Sequence, residues 1–181
     1  MLSYFAKRAI GAFERRWNYD ASYMRDILKG AGVGAILPLN ALGKISQYRR
    51  NVPAAVYYAA KVTASLAADC GACAQLTVAM AEAEGIEPAT LRALAMGDRG
   101  ALAPDERLGY DLAIATTARQ DAGDTRGEIV RRWGTRGLVS LAYAIVAAGA
   151  FPAFKYAMGY GHACERLRVN GNVVSREKLA V

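Results

Sequence analysis

The chain has 181 residues, of which 54% are apolar, and a formal net charge of +7. That length favours one domain, or a domain with an arm, and the apolar content excludes a disordered chain. Three cysteines exclude a disulfide framework, and there is no long uncharged leader in "MLSYFAKRAIGAF", so the sequence predicts a reducing, cytoplasmic setting.

Charge is uneven along the chain. Residues 1–50 carry nine Lys/Arg against three Asp/Glu, and the remainder is nearly balanced. This is not the footprint of a nucleic-acid-binding protein, in which basic residues cluster on a recognisable binding motif. Leu2, Phe5, Ala9, Phe13 and Trp17 form one helical stripe, with Lys7, Arg8 and Arg15 off it. The stripe is expected to pack on the body or on a partner chain; contact with a membrane surface is the second reading. After "WNYD", Asp20 or Ser22 can cap a short helix that runs to Lys29. "GAGVGAILPLNALGK" is apolar, but its three glycines and Pro38 predict packed turns and a short helix.

"SQYRRNVP" reads as a loop, and Pro53 opens a helix from Ala54 to Ala68. A second helix runs from the cysteine pair to about Glu84 and stops at Gly85. "EPATLRALAMGD" and "APDERLGYDLAIATTARQ" are two more, and Asp124 can cap "TRGEIVRRWG". Gly137 to Phe154 is free of charge for eighteen residues. A membrane span needs roughly 20 predominantly apolar residues, and this stretch is Ala-rich and interrupted by Pro152, so a buried core helix is expected. A further helix is expected after Pro152, then a polar tail. Strand-like alternation is nowhere convincing, so the expected class is all-α. No Gly-rich loop follows a strand, so no nucleotide or other cofactor is indicated.

Cys70 and Cys73 stand at i and i+3 in the first turn of a helix, on one side of it. Unpaired backbone amides and the positive end of the helix dipole favour a thiolate there. A second thiol one turn away can resolve a sulfenic acid into a disulfide. Asp69 acts both ways, as a cap and as a charge that raises the thiol pKa. Three readings stay open on these residues: a redox pair, two small core residues, and a metal site. The metal reading adds His162 and Cys164 to make a Cys₃His set, and is weakened because His-x-Cys on a helix points its side chains apart.

The order from "LAADCGACAQLTVAMAEAEGIEPATLRALAMGDRGALAPDERLGYDLAIATTARQ" to "RRWGTRGLVSLAYAIVAAGAFPAFKYAMG" resembles the carboxymuconolactone decarboxylase and alkylhydroperoxidase AhpD-like superfamily. The resemblance spans about residues 51–169, with residues 1–50 as a basic helical arm and 170–181 as a tail. It implies an AhpD-like helical bundle assembled as a dimer, trimer or hexamer. It implies a thiol-dependent alkylhydroperoxidase or disulfide reductase served by a thiol reductant partner, with Cys73 attacking and Cys70 resolving. The sequence departs from the pattern at the proton relay, where Thr77 stands in place of a His and Tyr58 in place of a Glu. Threonine does not titrate near neutral pH and tyrosine does so poorly, which leaves Lys61 and His162 as candidate proton carriers. Against that stand a solvated or snorkelling Lys61 and an ordinary surface His162, while Tyr58 and Gln75 read as packing or local hydrogen-bonding residues. A non-catalytic oligomeric helical protein is the alternative, and a lactone decarboxylase-like enzyme comes third.

Overall fold

The computed structural model describes residues 2–162 and 167–174. Among these are eight α-helices and one two-stranded hairpin. The helices are α1 (Leu2–Trp17), α2 (Ser22–Gly30), α3 (Val33–Ile45), α4 (Ala54–Ala67), α5 (Gly71–Ala83), α6 (Pro88–Met96), α7 (Pro104–Thr117) and α8 (Gly123–Ala157). The strands are β1 (Leu167–Val169) and β2 (Asn172–Val174). The helical class expected from sequence is therefore observed.

The main core forms around α4, which is buried continuously from Val56 to Leu66. A helix buried on all sides needs neighbours on all sides, and it carries Lys61, Thr63 and Ser65 inside with it. Helices α5, α6, α7 and α8 supply those neighbours. Contact with α7 is the closest: a Cβ on Gly109 would lie 2.3 Å from the Val56 carbonyl oxygen. Only a residue without a side chain allows the two backbones to meet there.

A second cluster joins α1, α2 and α3 to the rest. Ile10, Tyr19, Tyr23, Ile27, Leu28 and Leu39 pack with Leu76 of α5 and with Phe151, Phe154 and Tyr160 at the end of α8. Helices α1, α2 and α3 thus pack on the body through this cluster, as expected for the helical stripe of the basic arm. Within α1 the buried side is Ile10, backed by Ala6, Phe13 and Trp17. The expected stripe is rotated from this side: Leu2 is 74% exposed and Phe5 59%.

Several elements differ from their sequence expectations. Segment α3 is one 13-residue helix with Pro38 inside it, not packed turns. Helix α8 agrees with the sequence in one respect: it bends at Gly134, the last residue of "TRGEIVRRWG", whose φ of 67° separates a segment 123–133 from a segment 135–157. It then runs through Pro152 to Ala157. Proline removes one backbone hydrogen bond and is tolerated where packing on either side holds the helix. Here Pro152 is buried, between Phe151 and Phe154 of the second cluster. No helix resumes among the described residues beyond it. The chain instead forms the hairpin, turned by Asn170 and Gly171, both at positive φ. That is the backbone of a two-residue type I′ turn, which Asn-Gly favours. Leu167 and Val169 are fully buried, and Gln75 of α5 clamps Arg168 by accepting from its amide and donating to its carbonyl.

Helix α8 is long and apolar enough to cross a membrane by length and composition. One side of it is nonetheless core: Leu141, Ala144, Ile145 and Ala148 are buried with α4, while Ala142, Tyr143 and Val146 face outward. Replacing Gly109 by Ala would force α7 off α4. We expect Gly109→Ala to lower stability by about 1–3 kcal/mol in urea unfolding, the usual range for overpacking.

Candidate functional site

The site begins at the turn between α4 and α5. Asp69 takes a left-handed conformation, φ 46°, which aspartate tolerates better than most residues. Its carbonyl accepts the Tyr156 hydroxyl at 2.9 Å, and the Gly71 amide donates to the His162 carbonyl at 3.0 Å. The turn is therefore held on both sides by the segment that leaves α8. Cys70 sits at the N-cap of α5 and Cys73 lies in its first turn.

The two sulfurs are 2.9 Å apart in a thiol–thiol hydrogen bond, and neither cysteine is in a disulfide. The hydrogen bond from Cys73 is the largest effect on Cys70 and lowers its pKa to about 6; burial opposes it, and the Cys73 amide and Lys155 reinforce it. The same bond pushes the Cys73 thiol up, with burial and the neighbouring Cys70 charge adding to it. Both shifts act in one direction, toward negative charge on Cys70 rather than on Cys73. Only Cys70 of the two lines the adjacent cleft of about 100 Å³, together with Asp20, Tyr23, Lys155, Tyr160 and His162.

Behind the pair stands a buried cation. Lys155, 5% exposed, donates to the Tyr19 hydroxyl at 3.2 Å. Its Nζ lies 5.1 Å from the Tyr19 ring centre and 5.4 Å from that of Tyr23. Both rings offer their negative faces to the ammonium. Burial raises both phenol pKa values, so the two tyrosines remain protonated donors. Tyr19 is close enough to the pair that negative charge on Cys73 or Cys70 adds to the rise of its phenol pKa.

Of the residues expected from sequence, the structure brings Cys70, Cys73 and His162 together and leaves Lys61 elsewhere. Lys61 donates to the Ser46 carbonyl at 2.8 Å and lies over Tyr57 and Tyr58; burial pushes its pKa down to about 8. His162 borders the cleft and holds α5 with its carbonyl. Thr77 donates to the Cys73 carbonyl one turn back, and Tyr58 packs edge-on against Tyr57. Cys164, the third cysteine of the metal reading, lies outside the described residues. Among the described residues no three His, Cys, Asp or Glu are grouped to hold a metal ion.

Sequence reasoning missed Tyr19, Tyr23 and Lys155. A signal existed for each. Tyr19 and Tyr23 are one turn apart, and Lys155 is the one Lys, Arg, Asp or Glu between Arg136 and Glu165. No protein-family model matches this chain, and neither the curated proteins nor the solved structures give a match.

These electrostatics have a measurable consequence. Iodoacetamide should modify Cys70 alone, with a rate that climbs through about pH 6 rather than near the ordinary thiol value. Cys73→Ala removes the largest cause and should move that inflection upward; Lys155→Met should move it upward by less. Peptide mapping of the alkylated chain across pH 5–10 reads all three outcomes.

Proposed function

We propose that this protein is a thiol-dependent peroxidase acting on small hydroperoxides, with Cys70 as the attacking thiolate and Cys73 as the resolving thiol. The observation that carries this reading is the 2.9 Å sulfur–sulfur contact at the head of α5, with Cys70 turned to the cleft. It keeps the redox chemistry implied by the AhpD-like resemblance and reverses the roles that the resemblance gives the two cysteines.

The Cys70 thiolate attacks the terminal, hydrogen-bearing oxygen of the hydroperoxide. An S–O bond forms, the O–O bond breaks, and the leaving alkoxide takes a proton from the Lys155 ammonium in the same cleft. Cys73 then attacks the Cys70 sulfenic acid. The S–S bond forms, the S–O bond breaks, and the thiol proton leaves with the hydroxide as water. Lys155 regains its proton from solvent. An external dithiol restores the pair by exchange. With Cys70 only 1% exposed and the cleft about 100 Å³, a small oxidant has access where a bulky one does not.

Self-association belongs to the same reading. The outward face of α8 carries Ala142, Tyr143 and Val146 within the charge-free stretch, and a second copy would cover it without desolvating a charge. The competing reading, a non-catalytic helical protein, is favoured by one observation: Thr77 and Tyr58 stand in the relay positions and both serve packing.

A sub-stoichiometric dose of hydroperoxide, followed by alkylation and mass spectrometry, separates the two. A Cys70–Cys73 disulfide should form within seconds and be reversed by dithiothreitol. Cys70→Ser should abolish the reaction, and Cys73→Ser should stop it at a sulfenic acid that dimedone traps on Cys70. If both thiols survive the oxidant unchanged, the non-catalytic reading stands. Light scattering should show an oligomer that Val146→Asp disperses.

A further inference from the structure

Helix α1 turns one face to the body and leaves the other bare. On the bare face Leu2, Phe5, Ala9 and Ala12 are all exposed, and at 3.6 residues per turn they fall within roughly 80° of the helix circumference. Leu2, Tyr4 and Phe5 are 74%, 62% and 59% exposed, so the first turn carries three large uncovered side chains. Arg8 and Arg15 run along one border of the stripe and Arg16 lies at its far end; all three are exposed. Among the described residues Arg8 and Arg15 make no ion pair. The one acid of α1, Glu14, is turned away and pairs with Arg25 of α2.

We infer that this face of α1 is a docking surface for an anionic lipid bilayer, with Leu2 and Phe5 entering the headgroup boundary and the arginines meeting acidic headgroups. An apolar stripe edged by cations is the pattern of a helix lying in the plane of a membrane surface. Tyr4, with an apolar ring and a polar tip, sits where aromatic residues are enriched at such interfaces. The charge argues against a second copy of the chain as the occupant. Two copies stacked on this stripe would set Arg8 and Arg15 against their counterparts, with Glu14 on the wrong side to neutralise them. A nucleic acid would leave the apolar stripe without a partner. Most of the net positive charge of the chain lies in residues 1–50, on the same layer of the fold.

Co-sedimentation of the full chain with vesicles tests this without reference to the cysteines. The expected result is binding to phosphatidylcholine vesicles containing a quarter phosphatidylserine, none to pure phosphatidylcholine, and release in 0.5 M salt. Each cation is worth about fivefold in partitioning, so the pair Arg8→Gln and Arg15→Gln should weaken binding about 25-fold. Phe5→Ser should weaken it while leaving the far-ultraviolet circular dichroism unchanged, because Phe5 is outside the core. Failure to sediment with the anionic vesicles, or equal sedimentation with both compositions, overturns the inference. So does a Phe5→Ser chain that binds vesicles as before but is smaller by light scattering, since a second copy would then be what covers the stripe.

Discussion

The burial of one ammonium group holds the candidate site together. Taking the charge of Lys155 out of water costs several kcal/mol unless partners replace the lost hydration. Those partners come from the other end of the chain: the Tyr19 hydroxyl at 3.2 Å and the faces of Tyr19 and Tyr23. Neither tyrosine could be lost without stranding the cation. This is a physical reason for residues 1–50 to pack against the end of α8, and the second apolar cluster grows around that junction.

From this junction the electrostatics of the cysteines follow. Lys155 and the head of α5 both favour negative charge near Cys70, and Cys73 supplies the hydrogen bond that localises it there. Two thiols so close cannot both ionise, so lowering one pKa raises the other. Which thiol the negative charge favours then follows from position: Cys70 is the cap residue that lines the cleft, and Cys73 lies in the first turn of α5. Helix geometry alone left the pair symmetric, and the tertiary surroundings broke the symmetry.

Helix α8 serves both regions. Its middle packs on α4 in the main core, and its end passes Phe151 and Phe154 to the second cluster before the chain returns to α5. There Tyr156 and His162 hold the cysteine turn on either side of Cys70, while the Arg168 backbone grips Gln75 further along the helix. The cysteine helix is thus fixed along its length by segments remote in sequence.

Local physics made most of the helices legible in the sequence. Pro53, Pro88 and Pro104 stand at or next to the start of a helix, and Gly85 and Gly97 follow the ends of two others at positive φ. The cysteine pair at a helix N-terminus was legible for the same reason, since spacing alone puts both residues in one turn. The failures were non-local. Pro38 and Pro152 do not end their helices, and around Pro152 the reason is tertiary packing that covers the loss of one hydrogen bond. The Asn170–Gly171 turn carried a recognisable signal, but two three-residue strands acquire a reason to form only when Leu167 and Val169 find the core and Gln75. Which lysine meets the thiols was decided by tertiary structure alone. Lys61 is nearer in sequence and faces Ser46, whereas Lys155 is eighty-two residues beyond Cys73 and is brought to it by the packing of α8 against α2. Sequence spacing determines what shares a helical turn, and the burial of a charge determines what must gather around it.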